Sequence, residues 1–332
     1  VKEFDINYLG IKTRFIFLGR LMFWINVLQF VLKKKIEVLF LYNTQLDSVL
    51  FLKFLLPKKI KIVSEVCDLH SNSGTPTLKS YFATYSEKYL PKYSNLVVTI
   101  SKYLSDHVRK FDIKVPILRI PILVDTDFFS IKTENLNELN LNKTLETFLI
   151  CYVGGLWKHQ GVRYLMEAFK LILNDGYNAK LLIAGDYSVS AEKDDVISLA
   201  KDLNIEDHTI LPGWVQTNVV KEILDSSDLL VISQAQHEFT QAGLPTKLAE
   251  YCAVNKPILT TRVGDVTLYF KDKENCIMCE PGDTLSMYEG IKYAIGNRDK
   301  LSSIADNSYN LALTKFDYKI NGEILLSKIK EL

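Results

Sequence analysis

The residues best suited to chemistry stand in QAGLPTKLAEYCAVNKPILTT, residues 241–261. Pro245, after the turn residues Gly243 and Leu244, suits the first position of a helix, where its missing N–H costs nothing. The amides of Thr246, Lys247 and Leu248 are then left free by the helix and can face an anion. Lys247 adds a positive charge, and Glu250, three residues on and on the same helical face, can accept two hydroxyls of a ribose. An ordinary Lys–Glu surface pair has the same spacing. A second cluster is CYVGGLWKHQGVRYLMEAF, residues 151–169. A strand runs into Gly154 and Gly155, a loop carries Lys158 and Gln160, and Gly161 opens an amphipathic helix. Glycine-bared amides beside a cation and a helix start make an anion site suited to a diphosphate. A plain tight turn between strand and helix reads the same way.

These clusters need a scaffold that presents loops at strand ends, and the hydrophobic pattern supplies one. Apolar runs predict strands at 36–42, 60–66, 96–100, 148–153, 180–184, 208–211, 229–232, 257–260 and 276–279. Helical patterns fall at 45–56, 77–90, 161–174, 191–203, 217–226, 246–254 and 284–297. Such alternation is the signature of parallel α/β sheets, whose ligands bind outside the carboxyl ends of the strands. The chain opens almost directly on a helix. Missing N-terminal residues, or a first domain built without its leading βα unit, would account for that.

The 332 residues, 48% hydrophobic and 24% charged, fit a globular chain of two domains and exclude disordered and collagen-like classes. The formal charge of +1 argues against a nucleic-acid partner. It conceals an asymmetry: residues 1–125 hold 19 Lys and Arg against 10 Asp and Glu, a balance of +9, and residues 126–332 hold 21 against 29, a balance of −8. Lys33 to Lys35 follow the apolar stretch 15–32, and Lys58, Lys59 and Lys61 come later. That pattern suits an anionic membrane face or a lipid diphosphate, and equally a solvated basic surface. Arg20, Asn26 and Gln29 interrupt the apolar stretch, so it reads as a buried or interfacial helix. Five scattered cysteines without a signal peptide point to a reducing, cytoplasmic setting, and Cys276-x-x-Cys279 lacks the second pair or histidines of a metal site.

The order YVGGLWKHQGVRYLMEAF, KLLIAGD, ILPGWV, SSDLLVISQ, GLPTKLAEYCAVNKPILTT, ENCIMCEPGD resembles the nucleotide-sugar-binding half of family-4 retaining glycosyltransferases with the GT-B fold. VVTISKYLSDHV with IPILVDTDFF resembles the end of that family's first domain, and KFDYKINGEILLSKIKEL its last helices. The resemblance implies two doubly wound Rossmann-like domains: 1–129 binding the acceptor, a linker over 130–147, 148–314 binding the donor, and a helix over 315–332 crossing back. By the same resemblance, Gly154, Gly155 and Gly161 shape the donor-phosphate loop, Gly185 is a further donor-binding residue, Lys247 approaches the diphosphate and Glu250 holds the ribose. Gly213, Trp214 and Val215 flank the nucleobase, and His70 faces the transferred sugar.

It further implies transfer of a sugar from a nucleoside diphosphate sugar to a glycan or lipid-linked hydroxyl acceptor with retention, in assembly of a surface polysaccharide. No metal and no tightly bound cofactor are expected, and membrane contact would be peripheral, on the inner face. Gly155 and Gln160 stand where the family commonly has Arg and Lys, and Ala242 where it often has a first glutamate; Lys158 and Glu238 are the candidate substitutes. These departures keep two alternatives open: a non-catalytic nucleotide-sugar-binding subunit and a sugar-nucleotide epimerase. Asp125-Thr-Asp127 imitates a metal-binding DxD, but two acids alone are a poor divalent site.

Overall fold

The computed structural model describes residues 16–42, 53–68, 85, 88–111, 114–130, 144, 146–188, 190 and 193–332. His70, most of the helices expected at 45–56 and 77–90, and most of the segment 130–147 lie outside them. The chain forms two compact units, one of Val1–Ile120 with Leu325–Leu332 and one of Pro121–Ile324.

In the first unit, helix α1 (Ile16–Lys33) precedes strands β1 (Val38–Tyr42), β2 (Lys61–Val66), β3 (Leu96–Thr99) and β4 (Ile117–Arg119), with α2 (Lys102–Arg109) between the last two. The strands pair in parallel in the order β1-β2-β3-β4. Trp24, Val27 and Val31, spaced along one stripe of α1, pack with Leu41, Ile60 and Ile62. Ser101 caps α2 by accepting from the Leu104 amide at 3.1 Å. Leu325, Ile329 and Leu332 pack with Val63, Leu96, Val98 and Ile120.

The second unit opens with the short helix α3 (Thr126–Ser130). Val124 N donates to Phe316 O at 2.9 Å and Thr126 Oγ1 to Asp317 Oδ2 at 2.8 Å, which ties 121–130 to this unit. Strands β5 (Phe148–Val153), β6 (Ala179–Ala184), β7 (Thr209–Gly213), β8 (Leu229–Ile232), β9 (Ile258–Thr261) and β10 (Ile277–Cys279) follow. The helices are α4 (Val162–Asn174), α5 (Val196–Asp202), α6 (Thr217–Ser226), α7 (Glu238–Ala242), α8 (Lys247–Ala253), α9 (Val266–Tyr269), α10 (Thr284–Gly296) and α11 (Arg298–Leu311), and α12 (Tyr318–Lys330) begins here, its residues from Leu325 on belonging to the first unit. The sheet is parallel, ordered β10-β9-β8-β5-β6-β7. Its order reverses between β5 and β8, which makes their carboxyl ends the crevice where a doubly wound sheet binds ligands.

Alternation along the strands sorts side chains into two cores. Leu149 and Cys151 face one with Leu230, Tyr251 and Phe316, while Phe148, Ile150 and Tyr152 face the other with α4 and α10. The same alternation parts the two cysteines of the CxxC. Cys276 lies in the first core and Cys279 in the second, on opposite faces of the sheet, so they cannot hold one metal ion. Burial pushes the Cys279 thiol up to about 12. The DxD carboxylates are likewise committed: Asp125 Oδ1 accepts from the Phe128 amide at 3.1 Å, and Asp127 pairs with Lys319 at 2.5 Å.

Candidate donor site in the second unit

Three adjacent strands end on glycine. Gly154 N, at the end of β5, donates to Ala184 O at 2.8 Å, and Gly185 N, at the end of β6, to Gly213 O of β7 at 2.9 Å. A Cβ on Gly185 would sit 2.2 Å from Gly154 O, so a side chain would force these strand ends apart. The row is open beyond Gly213, where Trp214 is 74% exposed.

The loop after Gly154 bends through a short 3-10 turn, Lys158–Gln160, into Gly161, whose φ of 68° is left-handed. A Cβ there would meet Ser233 O at 2.1 Å. The contact is that close because the loop is stitched to the segment after β8: Ser233 Oγ donates to Gln160 O at 2.7 Å, and Ala235 N to His159 O at 3.0 Å. Trp157 covers Gly155, whose added Cβ would lie 3.1 Å from Trp157 Cδ1. Lys193 stacks 5.1 Å over that ring while pairing with Asp186 at 2.6 Å.

Lys247, at the start of α8, reaches this loop. Its Nζ donates to Tyr152 Oη at 3.1 Å and lies 4.3 Å from the centre of the same ring. Tyr152 Oη in turn donates to Gly155 O at 2.6 Å. A Cβ on Gly154 would be 2.3 Å from Lys247 Nζ, so the absent side chain is the room the ammonium occupies. Burial brings the Lys247 pKa down to about 8, with Glu250 opposing. Glu250 is half-buried, its carboxyl pushed up by burial, and no ion pair joins it to Lys247 among the described residues. The pair therefore differs from an ordinary surface Lys–Glu contact. Each side chain carries a charge that its own surroundings leave poorly solvated.

One expectation at this corner needs correction. Thr246 is already helical, at φ −55° and ψ −35°, and Leu248 N donates to Pro245 O at 2.9 Å. The Leu248 amide is thus engaged in a tight first turn, and Thr246 and Lys247 keep the amides that can face a ligand. The side chains of Leu244 and Leu248 are core residues, so neither can touch a ligand except through backbone. Gly243 is extended, and its carbonyl is approached by Gly264, whose added Cβ would lie 2.2 Å away. Val215 packs on the core beside Trp214. Lys158 and Glu238 are exposed, and Ala242 is buried where a glutamate would have to enter the core.

The structure thus brings Gly154, Gly155, Gln160, Gly161, Gly185 and Lys247 to one crevice, with Gly213 and Trp214 beyond the same row of strand ends. Tyr152, Trp157, Ser233 and the pair His159 and His237 were missed from sequence. Tyr152 carried the one available signal, a hydroxyl in an otherwise apolar strand.

Residues 133–311 match the family described as glycosyl transferases group 1. The chain belongs to this family. It is 24% identical over 201 residues to the capsular polysaccharide biosynthesis glycosyltransferase CapM of Staphylococcus aureus, covering 60% of this chain and 50% of that protein. It is also 24% identical over 289 residues to a Campylobacter jejuni N-acetylgalactosaminyltransferase acting on a diphospho-undecaprenol-linked sugar, covering 85% and 73%. Across CapM and two other curated relatives the chain spans between 33% and 60% of their length. Anabaena HepE, solved with UDP, superposes with a TM-score of 0.77 at 15% identity, covering 95% of this chain and 84% of that one. The fold is GT-B, with two Rossmann-like parallel sheets.

The depressed Lys247 pKa has a testable consequence. A diphosphate beside it favours the ammonium, so binding takes up a proton wherever the free amine is partly neutral. Donor affinity is expected to weaken as pH rises through about 8, by up to about tenfold per unit. Lys247→Arg, charged throughout, should flatten that limb in a tryptophan-fluorescence titration; an unchanged limb would remove Lys247 from the linkage. In the unliganded fold the sign is opposite to a stabilising pair. The buried ammonium costs stability fully below pH about 8, and the cost is relieved as pH rises towards the ordinary 10.5.

Proposed function

We propose that the chain moves a sugar from a nucleoside diphosphate sugar to a hydroxyl acceptor, with retention at the anomeric carbon. The observation that carries this is Lys247 Nζ resting in the space that glycine leaves at position 154, at the reversal point of the sheet. In the reaction the bond from the anomeric carbon to the β-phosphate oxygen breaks with its electron pair passing to the phosphate. The acceptor oxygen bonds the same carbon from the same face, and its proton passes to the departing phosphate. Charge grows on the diphosphate, so the ammonium of Lys247 and the free amides of Gly155, Thr246 and Lys247 stabilise the transition state more than the ground state. Glu250 accepts the ribose hydroxyls, and Trp214 offers a face to the nucleobase. No metal or tightly bound cofactor takes part.

The acceptor we propose is a glycan or lipid-linked intermediate of a surface polysaccharide, bound by the first unit at a membrane's inner face. Supporting this, Lys33, Lys34, Lys35, Lys53, Lys58 and Lys59 are exposed in that unit, as are the apolar side chains Phe54 and Leu55. Among the described residues no helix is long and apolar enough to cross a membrane. Sedimentation with anionic but not neutral vesicles at low salt is expected; equal indifference to both would remove the membrane part.

The transfer itself is tested by incubation with a panel of sugar nucleotides and lipid diphosphate acceptors, the product's anomeric coupling being read by NMR. A retained configuration is expected, and an inverted one refutes the mechanism. Gly155, Gln160 and Ala242 favour a second reading, a non-catalytic donor-binding subunit. Donor binding without transfer to any acceptor would establish it instead.

A further inference from the structure

Gly155 and Gln160 leave this loop without charge at two of its positions, yet the loop carries an imidazole that is not used in hydrogen bonding among the described residues. The ring of His159 lies 5.4 Å from that of His237, tilted by 32°, and 6.0 Å from that of Phe239. His237 and Phe239 stack at 5.2 Å. His237 Nδ1 accepts from the Phe239 amide at 3.2 Å while capping α7, so its role is structural. His159 differs. Its carbonyl is held by the Ala235 amide and the next carbonyl by Ser233 Oγ, which fixes the backbone on both sides of the ring. The ring is half-buried, and neither of its nitrogens has a hydrogen-bond partner among the described residues.

We propose that His159 is a ligand-linked cation of this loop: neutral when the crevice is empty, it takes one proton from solvent as a nucleoside diphosphate sugar binds, and so supplies positive charge that Gly155 and Gln160 lack. The inference rests on the donor-site reading above. Its physical basis is the field around the ring. The titratable groups facing His159 are His237 and Lys247, and burial first, then these two, hold its pKa below the ordinary value. A diphosphate reverses the sign of that field, and an anion close to an imidazole favours the imidazolium. The proton comes from water or buffer, and no bond of the donor changes.

The test is calorimetry with UDP-glucose, GDP-mannose and ADP-glucose, whose diphosphates have no proton to lose near neutrality, in buffers of different ionisation heat. The wild type is expected to take up protons on binding and to lose affinity as pH rises through the neutral range, by up to about tenfold per unit. His159→Gln should abolish the uptake in that range and leave the separate limb near pH 8 that Lys247 contributes. His159→Lys should hold affinity without uptake. Wild-type uptake in His159→Gln overturns the proposal. Should that variant fail to fold, the ring ¹⁵N shifts of His159 in the wild type, titrated with and without the bound sugar nucleotide, read the same quantity, and an unshifted titration overturns it. No binding of any sugar nucleotide by the wild type refutes the donor site itself, whereas binding without proton uptake refutes this inference alone.

Discussion

Lys247→Ala is expected to lower kcat by about 10²–10³-fold, the range for losing one charge-stabilising donor at a reacting centre. Among the described residues the ammonium has no ion-pair partner that its removal would strand; what is lost is the hydrogen bond to Tyr152 Oη and the contact with the Tyr152 ring. Tyr152 keeps its own bond to Gly155 O, so the loop after β5 retains its anchor. The relief of a poorly solvated ammonium opposes the loss of these contacts, so the variant should melt close to the wild-type temperature. Loss of turnover with an intact melting curve separates a chemical role from a structural one. Near wild-type kcat would remove Lys247 from the mechanism.

Gly161→Ala has the second largest expected effect, and it acts through geometry alone. Left-handed backbone costs an alanine roughly 1–2 kcal/mol, and overpacking adds typically about 1–3 kcal/mol. The obstacle is Ser233 O, a backbone atom at the end of β8, so relief requires the donor loop to part from the segment 233–235. Urea unfolding should show a loss of roughly 2–5 kcal/mol, the sum of those two costs, together with weakened donor binding. A variant of unchanged stability would mean that the loop is not locked to β8. Gly213→Ala is the informative comparison: its φ is also positive, at 79°, but no atom lies within 4 Å of an added Cβ, so it should lose only the conformational part.

The strands of the second sheet were legible because each is a short apolar run ending at glycine or a polar turn, and their alternation with helical patterns dictates parallel pairing. The turn from β5 into α4 was legible at Gly154, Gly155 and Gly161 for the same reason. Strand β4, the three residues Ile117–Arg119, was not: it has no length over which a period can show, and pairing with β3 defines it. Helix α7 escaped because its five residues begin at a histidine cap rather than at Ser, Thr, Asp or Asn. The free amide expected at Leu248 failed because the first turn closes tightly, the Leu248 amide donating to Pro245 O three residues back. Tyr152 and Trp157 act through partners at positions 247 and 193, separations no local pattern encodes. Ser233 likewise reaches back to Gln160 across the reversal of the sheet.

The opposed charge balances of the two halves bear on the proposed donor site. If the acidic unit is to bind a dianionic donor it must do so with local groups, and Lys247 beside glycine amides is such an arrangement. The central claim is that this crevice holds a nucleoside diphosphate sugar. It is tested most directly by calorimetric titration of a sugar-nucleotide panel into the wild type and Lys247→Ala. Saturable binding of at least one sugar nucleotide, competed by its nucleoside diphosphate and strongly weakened in the variant, is the predicted result. Absence of binding across the panel, or equal binding by both proteins, would contradict it.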